Sequence, residues 1–193
     1  MLMSMFPPQR FIPPERIRPM KRVEYDKLVE LGCFHDERVE LVFGMVVDMS
    51  PIGPEHNEST ERIRRLLERQ LGGRARVRDQ SSFAATEDSE PEPDVLVFPN
   101  GDYWHAHPDR AHLIVEVAQS SLRWDRNTKS QLYGISQVDE YWIVNLVENV
   151  VEVYRDRVDG TWRTRTTHAR GEMIAMHAFP DVAVAVSEIL PPV

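Results

Sequence analysis

Apolar residues in this chain follow two different periods, which predict a mixture of helices and strands. The helical period predicts one helix ending at Gly32, a long one ending at Gly72, and a third over about 123–135. Residues 38–49 predict two strands that turn near Gly44. Short apolar runs predict further strands at 75–83, 94–98, 113–118, 141–146 and 150–155. Residues 161–190 predict weaker strands and at most a short closing helix.

The order of these elements indicates the fold class. Helices are interspersed with apolar strands, and several strands follow one another as hairpins. This order is typical of a mixed sheet flanked by helices and argues against an all-parallel sheet. We therefore predict an α/β fold with an N-terminal hairpin.

The first 19 residues differ in composition from the rest of the chain. Residues 1–19 contain five prolines and no usable periodicity, which predicts a flexible Pro-rich arm. Residues 20–193 are predicted to form a single domain, since 193 residues suit one core; two small domains are the alternative. Cys33 is the only cysteine, so an intramolecular disulfide and a thiolate-rich zinc site are both excluded.

Charge and hydropathy bear on location and partners. No segment has the pattern of a secretion signal, and no apolar run has the length of a membrane span, so we expect a cytoplasmic protein with no membrane partner. The formal net charge of −8 argues against a protein that coats nucleic acid by bulk charge. It is compatible with a nuclease, because a catalytic carboxylate cluster is itself negative and a bound cation offsets it.

Two carboxylates occur where ionised groups are costly. Glu116 interrupts the apolar run 113–118, and alternation along a strand places it on the side of Ile114 and Ala118. Asp94 begins the apolar run 94–98. Two such acids on neighbouring strands would make an oxygen-rich site for Mg²⁺ or Mn²⁺. The alternative is that each acid is paired with an arginine.

Two further residues are candidates for the same site. Glu40 lies between apolar residues in the first strand and would either reach the cation or face solvent. Lys129 follows the Glu116 strand, four residues after Asp125 and four before Tyr133, so the three share a helix face. Lys129 would support the transition state beside a phosphate or form a surface ion pair with Asp125.

Basic residues suggest where a phosphate backbone would bind. Arginines are concentrated between the second helix and the next strand, and Arg62, Arg65 and Arg69 are candidate substrate contacts there. Glutamates interleave with them, so a solvated helix face is equally consistent. His56 lies at the start of the same helix. It would either line the rim of a cleft or be a polar residue that only serves the start of the helix.

The ordered set of motifs resembles a known family. The segments are 40–51, His56, Pro93-Asp94, 114–117, 125–129 and 140–144. Together they are similar to the Uma family of predicted endonucleases, within the PD-(D/E)XK restriction-endonuclease-like superfamily. The resemblance implies a restriction-endonuclease-like mixed sheet, metal ligation by Asp94 and Glu116, and an accessory acid at Glu40.

The chain departs from the superfamily pattern at one position. The lysine expected two residues after the glutamate is replaced by Ala118, and the resemblance implies that Lys129 on the next helix substitutes for it. Gln119 is a lesser candidate for a polar role.

The implied activity is metal-dependent hydrolysis of DNA phosphodiester bonds, with a homodimer expected because so small a chain offers few contacts to a duplex. The alternative is a weak or inactive nuclease fold that binds nucleic acid or a protein; hydrolysis of a small phosphorylated molecule is a third option.

Overall fold

The computed structural model describes residues 16–192, so most of the predicted arm at 1–19 lies outside the described residues. The strands are β1 (Val39–Val42), β2 (Met45–Asp48), β3 (Arg76–Asp79), β4 (Val95–Phe98), β5 (Arg110–Ala111), β6 (Leu113–Ala118), β7 (Gln137–Val138), β8 (Tyr141–Asn145), β9 (Val150–Val158), β10 (Thr161–Ala169), β11 (Met173–Ala175) and β12 (Ala183–Ala185). The helices are α1 (Arg22–Glu30), α2 (Pro54–Leu71), α3 (Leu122–Trp124), α4 (Ser130–Ile135) and α5 (Val186–Ile189). A π-helical turn, Asp125–Lys129, joins α3 to α4, and we call residues 122–135 the composite helix.

A six-stranded mixed sheet organises the described part of the chain. Its order is β10-β9-β8-β6-β4-β3, and every neighbouring pair is antiparallel except β6 and β8. One face packs against α2 through residues such as Val115 and Trp142, while the other packs against α4 through residues such as Ile114 and Ile143. Both faces are covered, which explains why the central strands are apolar on both sides.

The long helix α2 begins and ends as the sequence predicts. Pro54 occupies its first turn, where no amide donor is required, and Gly72 ends it in the left-handed conformation. Ile63, Leu67 and Leu71 are fully buried against the sheet. Since α2 is anchored along this stripe, its first turn is held at the edge of the site described below.

The β1–β2 hairpin forms a separate small sheet. Its turn has positive φ at Phe43 and Gly44 (49° and 72°), the backbone that a two-residue hairpin turn requires. A Cβ at Gly44 would lie 2.3 Å from the Cβ of Pro19, so only glycine fits. Leu41 pairs with Glu90 through backbone hydrogen bonds, which dock the hairpin beside the main sheet.

The predicted fold class, a mixed sheet flanked by helices with an N-terminal hairpin, is confirmed. Two details differ. The strand predicted at 75–83 ends at Asp79, because Gln80 adopts a left-handed φ of 41°. The segment after Thr161 forms a regular nine-residue strand, β10, although its exposed polar side chains obscure the apolar alternation. Among residues 16–192, no helix combines the length and apolarity needed to cross a membrane.

Candidate active site

Strand pairing brings Asp94 and Glu116 together. Because β4 and β6 pair Val95 with Val115, the residues just outside this pair, Asp94 and Glu116, are neighbours. The backbone N–H of Asp94 donates to Glu116 Oε2 at 3.3 Å, and that of Val117 donates to Asp94 Oδ2 at 2.7 Å. Each carboxylate therefore lies against the other's strand, at the end of the sheet that opens to a cleft.

Lys129 links this pair to the N-terminal hairpin. Its Nζ donates to Glu40 Oε2 at 2.7 Å and to Glu116 Oε1 at 3.2 Å. Glu40 also accepts a hydrogen bond from the backbone N–H of Glu92, which holds its carboxylate in place. Of the two sequence-based alternatives for Lys129, the surface pair with Asp125 is wrong, since the ammonium is buried between two glutamates.

The composite helix supplies more than the lysine. One turn after Lys129, the Tyr133 hydroxyl donates to Glu116 Oε1 at 2.7 Å. One turn before it, Asp125 is buried and accepts a 2.6 Å hydrogen bond from the Ser121 hydroxyl. The π-helical turn between them widens the helix where Asp125 and Lys129 face inward; such turns are frequent at functional sites.

The cleft above these residues has a volume of about 340 Å³ and is strongly acidic. Six carboxylates and two permanent cations, Arg38 and Lys129, line it; the acids are Glu40, Asp48, Glu92, Asp94, Glu116 and Asp125. Burial raises the pKa of Glu116 to about 8 and that of Asp125 to about 6. Burial alone would lower the pKa of Lys129, but the charges of Glu116 and Glu40 raise it instead. The lysine thus stays protonated beside a surplus of negative charge.

His56 joins the site from the first turn of α2. Its Nε2 lies 3.0 Å from Asp94 Oδ2, so it can donate to that carboxylate. Its Nδ1 is buried and has no hydrogen-bond partner among the described residues. The cleft-rim interpretation of His56 therefore fits the structure better than a helix start alone.

The other sequence candidates lie elsewhere. Gln119 is exposed and directed toward Glu55 at 3.5 Å rather than into the cleft. Arg62 and Arg65 pair with Glu58 and Glu61 one turn earlier on α2, each at 2.6 Å. Together with Arg69 they line a shallow groove beside α5, away from the acidic cleft.

Three contributors were not singled out as site residues from the sequence: Glu92, Asp125 and Tyr133. Glu92 lines the cleft from the acidic loop before β4, and burial raises its pKa. Asp125 and Tyr133 share the helix face of Lys129, so their four-residue spacing was a usable signal once Lys129 was placed. Nothing in the local pattern around Glu92 separates it from its acidic neighbours.

The donor chemistry of the cleft fits a hard divalent cation. Carboxylate oxygens are the preferred ligands of Mg²⁺ and Mn²⁺, and uncompensated negative charge favours such an ion. Asp94 and Glu116 would hold it. As the side chains stand, no three His, Cys, Asp or Glu residues within 16–192 form a ready metal-binding group. Lys129 instead occupies the space between two of the acids, so these side chains would have to rearrange to bind a cation.

The mixed sheet with flanking helices, carrying one acid just before β4 and another within β6, is that of a restriction-endonuclease-like protein. A family model described as "Uma2: Putative restriction endonuclease" matches residues 23–187. The chain belongs to this Uma2 family, as the sequence resemblance predicted.

A solved structure is similar to this protein over most of the length of both chains. It is the crystal structure of a protein from Anabaena variabilis ATCC 29413 described as "a putative nuclease belonging to DUF820". The two chains share 15% identity with a TM-score of 0.71, covering 89% of this chain and 97% of the other. At that identity the similarity establishes the fold alone. No curated protein matches the chain significantly.

Proposed function

We propose that this protein is a metal-dependent endonuclease that hydrolyses DNA phosphodiester bonds. The observation that carries the proposal is the convergence of Asp94, Glu116, Glu40 and Lys129 in the acidic cleft, where Asp94 adjoins Glu116 and Lys129 links Glu116 to Glu40. Membership of a family described as "Putative restriction endonuclease" supports it, as does the fold shared with the Anabaena protein described as "a putative nuclease".

A cation held by Asp94 and Glu116, Mg²⁺ or Mn²⁺, would polarise the phosphoryl oxygens and lower the pKa of the attacking water. Lys129 would place its ammonium beside the phosphate and offset the negative charge that develops there. It enters from the composite helix, since the position two residues after Glu116 is Ala118. Glu40 would hold Lys129 in place, while His56 and Tyr133 would orient Asp94 and Glu116.

A second candidate is a catalytically inactive nuclease fold that binds nucleic acid or a protein. The observation favouring it is the position of Lys129, whose ammonium already pairs with both Glu40 and Glu116, while no ready cation site is present in the described part of the chain. Titration with Mn²⁺ separates the two candidates. A nuclease of the proposed kind takes up the ion with an affinity that falls in Asp94→Asn and Glu116→Gln, whereas a pure binding module does not.

The direct test is cleavage of supercoiled plasmid and single-stranded DNA with Mg²⁺, with Mn²⁺ or with EDTA. We expect cleavage only with the cation. Asp94→Asn and Glu116→Gln should each lower the rate by at least about 10³-fold, because several kcal/mol of transition-state stabilisation depend on the cation. Lys129→Met should lower it by about 10²-fold or more. These substitutions preserve side-chain size, and circular dichroism checks that each variant is folded, above all Lys129→Met, which leaves the buried Glu40 and Glu116 without their ammonium partner.

The matched control is Glu30→Gln, an exposed acid at the end of α1, which should cleave at the wild-type rate. Equal cleavage by all variants would identify a contaminating nuclease and reject the proposal. We also propose that the nuclease is a homodimer, as expected from the small size of the chain. Light scattering on the same preparations tests this, and a monomer at working concentrations would reject the homodimer without affecting the nuclease proposal.

A further inference from the structure

A second cleft of about 590 Å³ lies between the composite helix and the β9–β10 hairpin. We call it the basic groove. Its lining includes Arg126, Arg163, Arg165, Tyr154 and Trp162, and none of its lining residues is acidic. In a chain of net charge −8, this composition contrasts with the acidic cleft, where carboxylates outnumber permanent cations three to one.

The three arginines differ in how far they are neutralised. Arg126 and Arg165 share the buried carboxylate of Glu152, and Arg126 also reaches Glu148 at 3.1 Å. Arg163 is exposed and has no carboxylate within 4.0 Å among residues 16–192. Three guanidinium charges therefore face two carboxylates, and the groove keeps a positive surplus that is concentrated at Arg163. The Glu152 contacts also fix the other two guanidiniums.

The groove and the acidic cleft lie on the same face of the sheet. Glu116, Ile143 and Glu152 are directly in register across β6, β8 and β9. Two strand spacings separate the two glutamates, a distance of about 10 Å. That is about the rise of three nucleotides along one strand of a duplex. The composite helix lies between the two clefts, and its exposed polar residues, Arg123, Asn127 and Gln131, include no acid.

We propose that the basic groove binds the phosphate backbone of a nucleic-acid strand whose phosphodiester about three nucleotides away lies in the acidic cleft. The inference rests on the proposed nuclease function and adds the substrate contact surface. An acidic cleft repels a polyanion, so affinity must come from positive charge nearby, and guanidinium groups match phosphate oxygens in geometry and charge. The arginines on α2 suit this role less well, because Arg62 and Arg65 are each paired with a glutamate at 2.6 Å.

The experiment measures binding without cleavage. Fluorescence anisotropy of a short labelled oligonucleotide, single-stranded and as a duplex, is recorded in EDTA over a series of salt concentrations. Arg163→Ala should raise Kd by about three- to ten-fold and reduce the slope of log K against log salt by about one phosphate contact. Arg163→Lys should restore the slope because it keeps the charge. The matched control Arg65→Ala, exposed on α2, should change Kd by less than about twofold.

Several results would overturn the proposal: no binding by wild type, unchanged Kd and slope in Arg163→Ala, or an equal loss in Arg65→Ala. Failure of the nuclease function is a separate result. If wild type binds through Arg163 but never cleaves with Mg²⁺ or Mn²⁺, the binding role of the basic groove is supported and the nuclease function is rejected. If wild type cleaves, and Arg163→Ala cleaves with the same KM and binds equally well, the binding role of the basic groove is rejected and the nuclease function is supported.

Discussion

Glu116 and Glu152 occupy matching positions on the sheet but have opposite surroundings. Each interrupts a run of β-branched residues, 114–117 and 150–153, and each is buried, with 6% and 1% exposure. They lie on the same face with Ile143 between them, and the composite helix supplies a cation to each. Sequence pattern and burial therefore do not distinguish the two acids.

Their partners do. Glu152 accepts hydrogen bonds from Arg126, Arg165, Asn145 and Tyr154. Burial would raise its pKa, but the hydrogen bond from Arg126 and the charge of Arg165 outweigh burial and lower it. Glu116 has one ammonium, which it shares with Glu40, and its pKa is raised to about 8.

This contrast separates a structural acid from a candidate catalytic one. The arginine-paired alternative considered for Asp94 and Glu116 describes Glu152, and also Glu140, which is buried against Arg155. A buried carboxylate with enough guanidinium partners stabilises the fold. One left with a surplus of neighbouring carboxylates keeps the capacity to bind a cation.

The largest expected effect on stability follows from this difference. Glu152→Gln removes the charge that holds Arg126 and Arg165, and should lower the free energy of unfolding by about 2–3 kcal/mol, less than for a fully buried pair because both arginines are partly exposed. Glu116→Gln should cost less than about 1 kcal/mol, because it removes a carboxylate whose ionised form burial disfavours, and Lys129 keeps Glu40. Urea unfolding in EDTA measures both values.

The two variants should also separate stability from activity. Glu152→Gln, assayed where it is fully folded and at saturating DNA, should keep its cleavage rate, whereas Glu116→Gln should lose cleavage while remaining folded. If Glu116→Gln destabilised the protein as much as Glu152→Gln, Glu116 would be a structural acid and the comparison would be wrong.

Much of the fold was predictable from the sequence. The apolar runs that became β4, β6 and β8, the stripe of α2 and the glycine turn at Gly44 all follow from local periodicity and backbone preference. Alternation also placed Glu116 on the face of Ile114 and Ala118, both of which pack beneath the composite helix. These features depend on near neighbours in the chain, which a single sequence records.

Contacts between residues far apart in the sequence were harder to predict. The bond between Lys129 and Glu40 spans 89 positions and depends on where the hairpin docks, so the sequence left both residues with two interpretations. Glu152 was not singled out, because its arginines at 126 and 165 come from separate elements. The apolar run 113–118 pointed to Glu116, and the ordered resemblance to the Uma family strengthened that prediction, whereas Glu152 lies outside the motifs of that resemblance.

Acid pH should reduce the stabilisation that Glu152 provides. Its pKa in the folded state lies below the unfolded value near 4.5, so its contribution is fully present above that pH and is lost as pH falls through the folded pKa. The difference in unfolding free energy between wild type and Glu152→Gln should therefore be constant near neutral pH and shrink below about pH 4.5. Urea unfolding at a series of pH values measures it. A difference that grew on acidification would contradict the lowered pKa.

A smaller change at Glu152 itself tests whether the positive charge of Arg126 is enough to stabilise this carboxylate, or whether the guanidinium geometry is needed too. Arg126 donates to Glu152 Oε1 through Nε at 2.9 Å and also contacts Glu148 at 3.1 Å, two contacts that a planar guanidinium can make at once. Arg126→Lys keeps the charge but loses this geometry, and should cost about 1 kcal/mol in urea unfolding. The double variant Arg126→Lys with Glu152→Gln should cost less than the sum of the two single changes, because both act on one contact. Strict additivity would mean that Arg126 stabilises the composite helix by another route, and that the balance of charge at Glu152 rests on Arg165 instead.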